Sequence, residues 1–405
     1  MAKEYKEMVF GLDIGTAKVM VVAAEVMPGG GLRVAGLGVA PTHGLKRGVV
    51  VNIDATVQSI QQALKEAEMM AACKISSVYT GITGSHIRGQ NSTGMVIVRD
   101  NREVTTVDVA RVVETAKAIN IPNDQRLLLV EPQEFVIDGH EVKEPIGMSG
   151  SRLEVKVHIV TGAQSAAENI LKCVRRCGLE VERLVLNPSA SAASVLTEDE
   201  MMLGVAVVDI GAGTTDVQIY TDGSVRHTAV IPIAGDLITS DIAMALRTPT
   251  KDAEEVKVEH GVAKQLLADP SDQVEVPGLG DRAPRLLSRQ ALAGVIEPRV
   301  EEIFSLVHQV IRESGFEELL SSGIVITGGS AVMPGMVELG EDIFLKPVRK
   351  GLPLYNAALY DMVANPRSAT VMGLLEEARM ARSRGQNSTG MVIVRDNREV
   401  TTVDV

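Results

Sequence analysis

GVAVVDIGAGTTDVQIY, residues 204–220, is an apolar run, an Asp, a glycine-rich turn and a second apolar run. MVFGLDIGTAKVMVV, residues 8–22, has the same layout, and the two share the core D-I-G at Asp13 and Asp209. Each reads as a β-hairpin. Two related hairpins so far apart in one chain point to a duplicated fold with two similar halves. Such a turn presents successive backbone N–H groups, and its glycine permits close approach, so it can cradle phosphate oxygens. An Asp at the strand end can reach a magnesium ion, usually through the ion's water shell. A single hairpin of this kind is a plain tight turn. A facing pair, Gly15, Thr16, Ala17 and Lys18 against Gly211, Ala212, Gly213 and Thr214, would clamp a polyphosphate from both sides. Asp13 and Asp209 would then share the metal.

A third element, IVITGGSAVMPGM at 324–336, is a buried strand ending in Gly328–Gly329. A glycine pair there lets a base and ribose lie against the backbone. Between these landmarks the chain alternates strands and helices. GLRVAGLGVA (31–40) extends the first hairpin into a meander, and DATVQSIQQALKEAEMMA (54–71) has helical period with Asp54 as its expected N-cap. ISSVYTGITG (75–84) is a further strand. From about residue 86 to 159 the texture changes to short strands, GMVIV and QRLLLVEPQEFVID, around one helix, TVDVARVVETAKAI, capped by Thr105 or Thr106. This reads as a small α/β insertion. AQSAAENILKCVRRCG (163–178) is a helix stopped by Gly178, and EVERLVLNPSASAASVL (180–196) is a strand leading into a small-residue helix. From GDLITSDIAMAL to ALAGVIEPRVEEIFSLVHQVIRESG the chain is mostly helical, and ANPRSATVMGLLEEARMA (364–381) is a closing helix.

Composition narrows the function. The 405 residues carry a formal net charge of −12, which argues against a nucleic-acid binder. Aromatic residues make up 2% with no Trp, so the cores must be aliphatic. Three cysteines without framework spacing suit a reducing compartment, and Cys173 and Cys177 read as small buried hydrophobes rather than metal ligands. There is no signal-peptide pattern and no apolar run of membrane-spanning length, so the chain reads as cytosolic.

The order turn, turn, glycine pair resembles the actin-type ATPase superfamily, whose members include actin, heat-shock chaperone ATPases and sugar kinases. The resemblance implies a two-lobed α/β fold of duplicated ribonuclease H-like domains, with ATP and Mg2+ in the cleft. SASAASVL (189–196) resembles the first inter-lobe helix and NPRSATVMGLL (365–375) the second, where small residues permit a close crossing that suits a hinge. In DAEEVKVEHG, Glu254 and Lys257 share a helix face at the position that approaches ribose and adenine in the superfamily. Hydrolysing members place Gln or Glu near the start of the first inter-lobe helix, and the local match is Asn187, a poor general base. Slow or absent turnover is therefore expected.

GLDIGTAKV, KRGVVVNIDATVQSI, CKISSVYTGITGSHI, VLTEDE, VVDIGAGTTDV, SDIAMAL and VIEPR are more specifically similar to the FtsA family of bacterial cell-division proteins, from Met8 to about Arg379. This implies an FtsA-type insertion subdomain at 86–163, in place of the second subdomain of actins. The first lobe would comprise 1–85, 164–200 and 363–383, and the second 201–240 and 317–362. A helical subdomain at 241–316 would bind the acidic C-terminal peptide of FtsZ, with Arg285, Arg289 and Arg299 in the matching region and Arg289 and Arg299 the favoured contacts. The resemblance further implies self-association into filaments, recruitment of later divisome proteins, and peripheral attachment of the FtsZ ring at the cytoplasmic face of the inner membrane. A small-molecule kinase lacks a candidate base in this sequence, and an Hsp70-like chaperone would need a substrate-binding domain after the ATPase domain.

RGQNSTGMVIVRDNREVTTVDV occurs twice without a substitution, at 88–109 and 384–405. Members of the family end in an amphipathic membrane-binding helix. The second copy has β-type alternation instead, and reads as a displaced join that forms a poorly packed tail.

Overall fold

The structure is a computed structural model and describes residues 7–98, 103–280 and 282–386. Two five-stranded sheets carry the architecture. Across the first, the order is Glu180–Leu186, Ser77–Ile82, Met8–Ile14, Lys18–Val26, Leu32–Pro41. Across the second it is Val348–Lys350, Ile324–Thr327, Val205–Ile210, Thr215–Thr221, Ser224–Ile231. The two sheets match strand for strand. In each, three consecutive strands form an antiparallel meander, and two later strands add in parallel beside the first. The duplication expected from the two D-I-G hairpins is thus a duplication of topology.

Aliphatic cores follow from the composition. Leu12, Val21, Ile60, Ala67, Ile170 and Val174 pack the first sheet against the helices Ile53–Ala71 and Gln164–Arg176. Ile210, Ile219, Ile238, Ile242, Leu292 and Phe304 do the same for the second sheet and the helices Gly235–Leu246 and Arg289–Ser314. Cys173 is fully buried in the first core.

Helices Asn187–Val195 and Ala369–Gln386 cross at their small residues. A Cβ added to Gly373 would lie 1.6 Å from the Ala190 carbonyl oxygen, so backbone meets backbone there. Ser194 Oγ donates to the Ala369 carbonyl at 2.7 Å across the same crossing.

The chain divides into two compact units. The larger runs to Asn91 and takes in Ile121–Glu131 and His158–Met380. The other contains Ser92–Asn120 and Pro132–Val157. Its helix, Thr106–Lys117, starts at Thr105 with a reciprocal capping box to Asp108. A Cβ on Gly94 would sit 2.3 Å from the Val112 carbonyl, which places strand and helix in direct contact. The insertion sheet runs in the order Arg88–Ile97, Arg152–Ala163, Gln125–Ile137, His140–Val142.

Three expectations need correction or limits. Asn52, not Asp54, caps the first long helix: its side chain accepts from the Ala55 N–H at 3.0 Å, and Asp54 lies within the first turn. The stretch from 235 to 315 is helical at both ends, but strands Gln273–Val276 and Arg285–Ser288 form an antiparallel hairpin between them. Of the second 22-residue copy, residues 384–386 belong to the end of helix Ala369–Gln386, and the rest lies outside the described residues.

The crossing tolerates no added side chain. Gly373→Ala is expected to destabilise the protein by about 1–3 kcal/mol, the usual cost of overpacking. A lowered urea midpoint with an unchanged slope would show it.

Candidate functional site

The site grows from the two hairpin turns. In the first, the Gly15 N–H donates to the Lys18 carbonyl at 3.0 Å; in the second, the Gly211 N–H donates to the Thr214 carbonyl at 2.9 Å. These bonds close the turns and leave the amides of Thr16, Ala17, Ala212 and Gly213 with no acceptor among the described residues. The carbonyls of the second turn are tied down from behind. Gly235 N–H and Ser330 Oγ donate to the Gly211 carbonyl at 3.1 and 2.9 Å, and Asp236 N–H donates to the Ala212 carbonyl at 2.8 Å.

The turns meet directly. A Cβ on Gly213 would be 2.5 Å from Thr16 Oγ1, so only glycine lets them approach. Thr16 Oγ1 in turn accepts from the Gly48 N–H at 3.1 Å. The glycine pair closes the site differently at each residue. Gly328 has φ +88, and a Cβ there would strike Asp209 Oδ1 at 2.3 Å. Gly329 has φ −62, and a Cβ there would find only Arg367 Cγ, at 4.0 Å.

Three buried carboxylates and one lysine set the electrostatics. Burial raises Asp13 to about 6, against the pull of Lys18 and with a further push from Asp209. Burial also raises Asp209, although Ser191 Oγ and Thr370 Oγ1 donate to its Oδ2 at 2.5 and 3.2 Å and oppose the shift. Asp216 is raised well above the ordinary carboxylate range by burial and then by Asp209, while Thr83 Oγ1 donates to its Oδ1 at 2.6 Å. Burial lowers Lys18 to about 8, offset in part by Asp13. The Lys18 ammonium donates to the Arg367 carbonyl at 2.6 Å. The charges crowd together without a mutual ion pair, an arrangement suited to an ionic ligand.

Glu254 and Lys257 form a 2.6 Å ion pair on helix Thr250–His260. Lys257 also donates to Thr239 Oγ1 at 2.8 Å and to the Gly235 carbonyl at 3.2 Å, which links the pair to the helix start that backs the second turn. Asn187 begins the small-residue helix; its Oδ1 is buried without a hydrogen-bond partner, and a Cβ on Gly81 would lie 2.2 Å from it. The three arginines lie elsewhere, in the 241–316 segment. Arg299 is held by Asp241 in a bidentate pair at 2.6 and 3.0 Å and also by Glu302. Arg289 donates to the His260 carbonyl at 2.9 Å and stands 3.6 Å from Asp272. Exposed Arg285 donates to the Leu246 carbonyl.

Sequence reasoning missed Thr83, Ser191, Asp216, Asp236, Ser330, Arg367 and Thr370. Asp216 had a signal: a carboxylate inside the apolar strand that follows a phosphate-type turn. The hydroxyls had none, because they act across long sequence separations.

Two topologically matching sheets, with a glycine-built turn from each meeting at a cluster of buried carboxylates, define an actin-like ATPase fold. Solved structures agree on the fold. The chain is similar to the PilM–PilN type IV pilus biogenesis complex (TM-score 0.67, 18% identity, 92% of this chain and 98% of that one). It is also similar to MreB5 of Spiroplasma citri bound to AMPPNP (0.59, 15%, 95% and 99%) and to a MamK double helical filament (0.52, 13%, 92% and 98%). Sequence comparison is more specific. Residues 206–373 match the family described as Cell division protein FtsA, and residues 84–161 match the SHS2 domain inserted in FtsA. Cell division protein FtsA of Pseudomonas aeruginosa is 56% identical over 91% of this chain and 88% of its own length. That of Escherichia coli K12 is 45% identical over 94% and 92%. The chain belongs to the FtsA family of cell-division proteins. No helix among the described residues is long and apolar enough to cross a membrane.

The Asp13 shift carries a stability consequence. Its folded pKa, about 6, lies above the ordinary value of 3.8, so the stabilisation from its protonated form is complete below 3.8 and is lost as pH rises through 6. In EDTA without nucleotide, Asp13→Asn is expected to be more stable than the parent above pH 6, by on the order of 3 kcal/mol. The difference should vanish near pH 4 in urea titrations run across that range.

Proposed function

We propose that the chain binds ATP between the two hairpin turns and uses the bound state for assembly rather than rapid hydrolysis. The observation that carries this is the pair of contacting turns, with four backbone N–H groups free to donate to phosphate oxygens beside Lys18. Gly15, Thr16, Ala17, Gly211, Ala212, Gly213 and Thr214 hold the phosphates in this reading. Gly328 and Gly329 back the ribose and base, and Glu254 and Lys257 border them. Among the described residues no group of three or more His, Cys, Asp or Glu forms a metal cage. A magnesium ion would therefore be held chiefly by phosphate and water, with Asp13 and Asp209 accepting from its water shell. Such an ion supplies charge neutralisation of the phosphates. Asp209 Oδ2 already accepts two hydroxyls, which suits an orienting role.

Slow turnover follows from Asn187. An amide oxygen accepts a hydrogen bond but is a poor general base, and no Gln or Glu stands beside it in NPSAS. ATP then serves as a fold-stabilising ligand and assembly signal. In this reading, which family membership supports, the chain polymerises, links the FtsZ ring to the cytoplasmic face of the inner membrane as a peripheral protein at the septum, and recruits later divisome proteins. We assign the first lobe to 1–85, 164–200 and 363–383, the second to 201–240 and 317–362, and the FtsZ-binding subdomain to 241–316. Within the last, Arg285 is exposed and donates to a backbone carbonyl, and Arg289 faces the Asp272 carboxylate at 3.6 Å, so both are more available than Arg299. Arg299 would have to leave a bidentate internal partner.

Gly329 gives a sharp test, because a Cβ added there comes no nearer than 4.0 Å to the Arg367 side chain, and a larger side chain would enter the proposed ribose–base position. Gly329→Leu should unfold at the parent's temperature in the absence of nucleotide, yet bind ATP at least about tenfold more weakly in calorimetric titration. Undiminished ATP affinity would remove the base from this position. Arg289→Glu should weaken binding of an acidic FtsZ C-terminal peptide by about tenfold or more in fluorescence anisotropy, as expected for a lost charge-assisted hydrogen bond.

A further inference from the structure

A second buried polar system lies away from the phosphate turns. His158 is 1% exposed and uses both ring nitrogens. Its Nδ1 is 2.7 Å from Asn91 Oδ1, and its Nε2 is 3.0 Å from Thr228 Oγ1. Gln218, fully buried, donates from Nε2 to Thr228 Oγ1 at 3.1 Å and to Ser189 Oγ at 3.0 Å. Tyr220 donates to Gln218 Oε1 at 2.8 Å.

The donors and acceptors fit one consistent assignment. Asn91 Oδ1 can only accept, so His158 carries its proton on Nδ1. Its Nε2 then accepts from the Thr228 hydroxyl, whose oxygen accepts from Gln218. Burial, aided by neighbouring His227, holds the His158 pKa down to about 4, which keeps the ring neutral as this assignment needs. The strands come together tightly enough to matter: a Cβ on Gly89 would lie 2.8 Å from the Thr228 carbonyl and 3.1 Å from His158 Cε1.

The two ends of this chain of bonds are informative. Asn91 immediately precedes the segment Ser92–Asn120, and His158 immediately follows Pro132–Val157, the two stretches of the smaller unit that belong to the insertion. Ser189, at the other end, shares helix Asn187–Val195 with Ser191, which donates to Asp209. A shift of that helix as the phosphate site fills would reach the ends of the insertion through a continuous run of hydrogen bonds that is buried at Gln218, Thr228 and His158, with few alternatives for slack.

We propose that the chain Ser189–Gln218–Thr228–His158–Asn91 couples ligand occupancy at Asp209 to the insertion unit, with Thr228 and His158 as its positioning residues. The proposal rests on the nucleotide reading above. Amide hydrogen exchange of the full chain, with and without Mg2+–ATP, tests it, alongside calorimetric ATP affinity. In the parent, ATP should change exchange in 92–97 and 152–157 by about threefold or more. Thr228→Val keeps the shape but removes the hydroxyl. It should bind ATP with affinity within about threefold of the parent and lose the exchange response. Thr228→Ser restores the hydroxyl and should restore the response. ATP binding without any response in the parent, or an equal response in Thr228→Val, would overturn the coupling alone. Absence of ATP binding to the parent would overturn the nucleotide reading and the coupling with it.

Discussion

The crossing of helices Asn187–Val195 and Ala369–Gln386 is the constraint on which the other features converge. At Ala190 and Gly373 the two backbones approach as closely as atoms permit. That contact brings Ser191 and Thr370, one from each helix, onto the same oxygen of Asp209 and within 3.0 Å of one another. The same pair of helices reaches the other sheet: a Cβ on Gly11, in strand Met8–Ile14, would lie 2.9 Å from the Val371 carbonyl. One crossing therefore touches the strand that carries Asp13 and the strand that carries Asp209. A wider separation would release the Asp209 carboxylate and loosen both hairpin turns together. The small residues in SASAASV and SATVMG serve this approach, and their low hydrophobic content is the cost.

Around that frame the buried charges are arranged against their own preferences. Asp13, Asp209 and Asp216 are each pushed toward the neutral form by burial, and Lys18 is pushed the same way. Burial of charge without full pairing opposes folding, so the cluster has to be supported by the surrounding packing. Hydroxyls supply part of the compensation: Ser191 and Thr370 for Asp209, Thr83 for Asp216. A phosphate chain with a divalent ion would bring charges of both signs into the cluster and restore the ionised forms. The site's electrostatic discomfort and the ionic ligand proposed for it would thus have a common origin.

Much of this was legible in the letters, for reasons that can be named. The D-I-G hairpins announce themselves because strand, turn and strand are local, and glycine marks the turn. The insertion stood out by a change of texture between about His86 and Ile159. The failures are equally specific. Asn52 and Asp54 both suit an N-cap, and the choice between them is settled by which backbone leaves the helix. The hairpin Gln273–Val276/Arg285–Ser288 hides because the glycines and prolines of VPGLGDRAPR between its strands read as loop. Asp216 and Gln218 alternate with Val217 and Ile219 in a strand that is buried on both faces, so period alone could not say they were inside. Ser191, Thr370 and Thr83 reach partners 18, 161 and 133 residues away, which no local pattern encodes.

The matching sheets also show where this fold accepts extra chain. In the first sheet the long excursion lies between the two parallel strands Ser77–Ile82 and Glu180–Leu186, and it contains the insertion. In the second sheet the same connection, from Ile324–Thr327 to Val348–Lys350, holds a single 3-10 turn, Ser330–Val332, and the helix Met336–Phe344. There the long excursion comes one connection earlier, between Ser224–Ile231 and Ile324–Thr327; its counterpart in the first sheet, from Leu32–Pro41 to Ser77–Ile82, holds only a short hairpin and the helix Ile53–Ala71. Parallel additions require crossovers, and lengthening a crossover costs little, since closure entropy grows only with the logarithm of length. The hairpin turns have no such freedom, because each is closed by a single bond across three residues. Extra length in this fold is thereby directed to the crossovers, while the turns that form the site keep one form in both halves. The hydrogen bonds from His158 to Asn91 and Thr228 lie where such an excursion leaves and rejoins the larger unit.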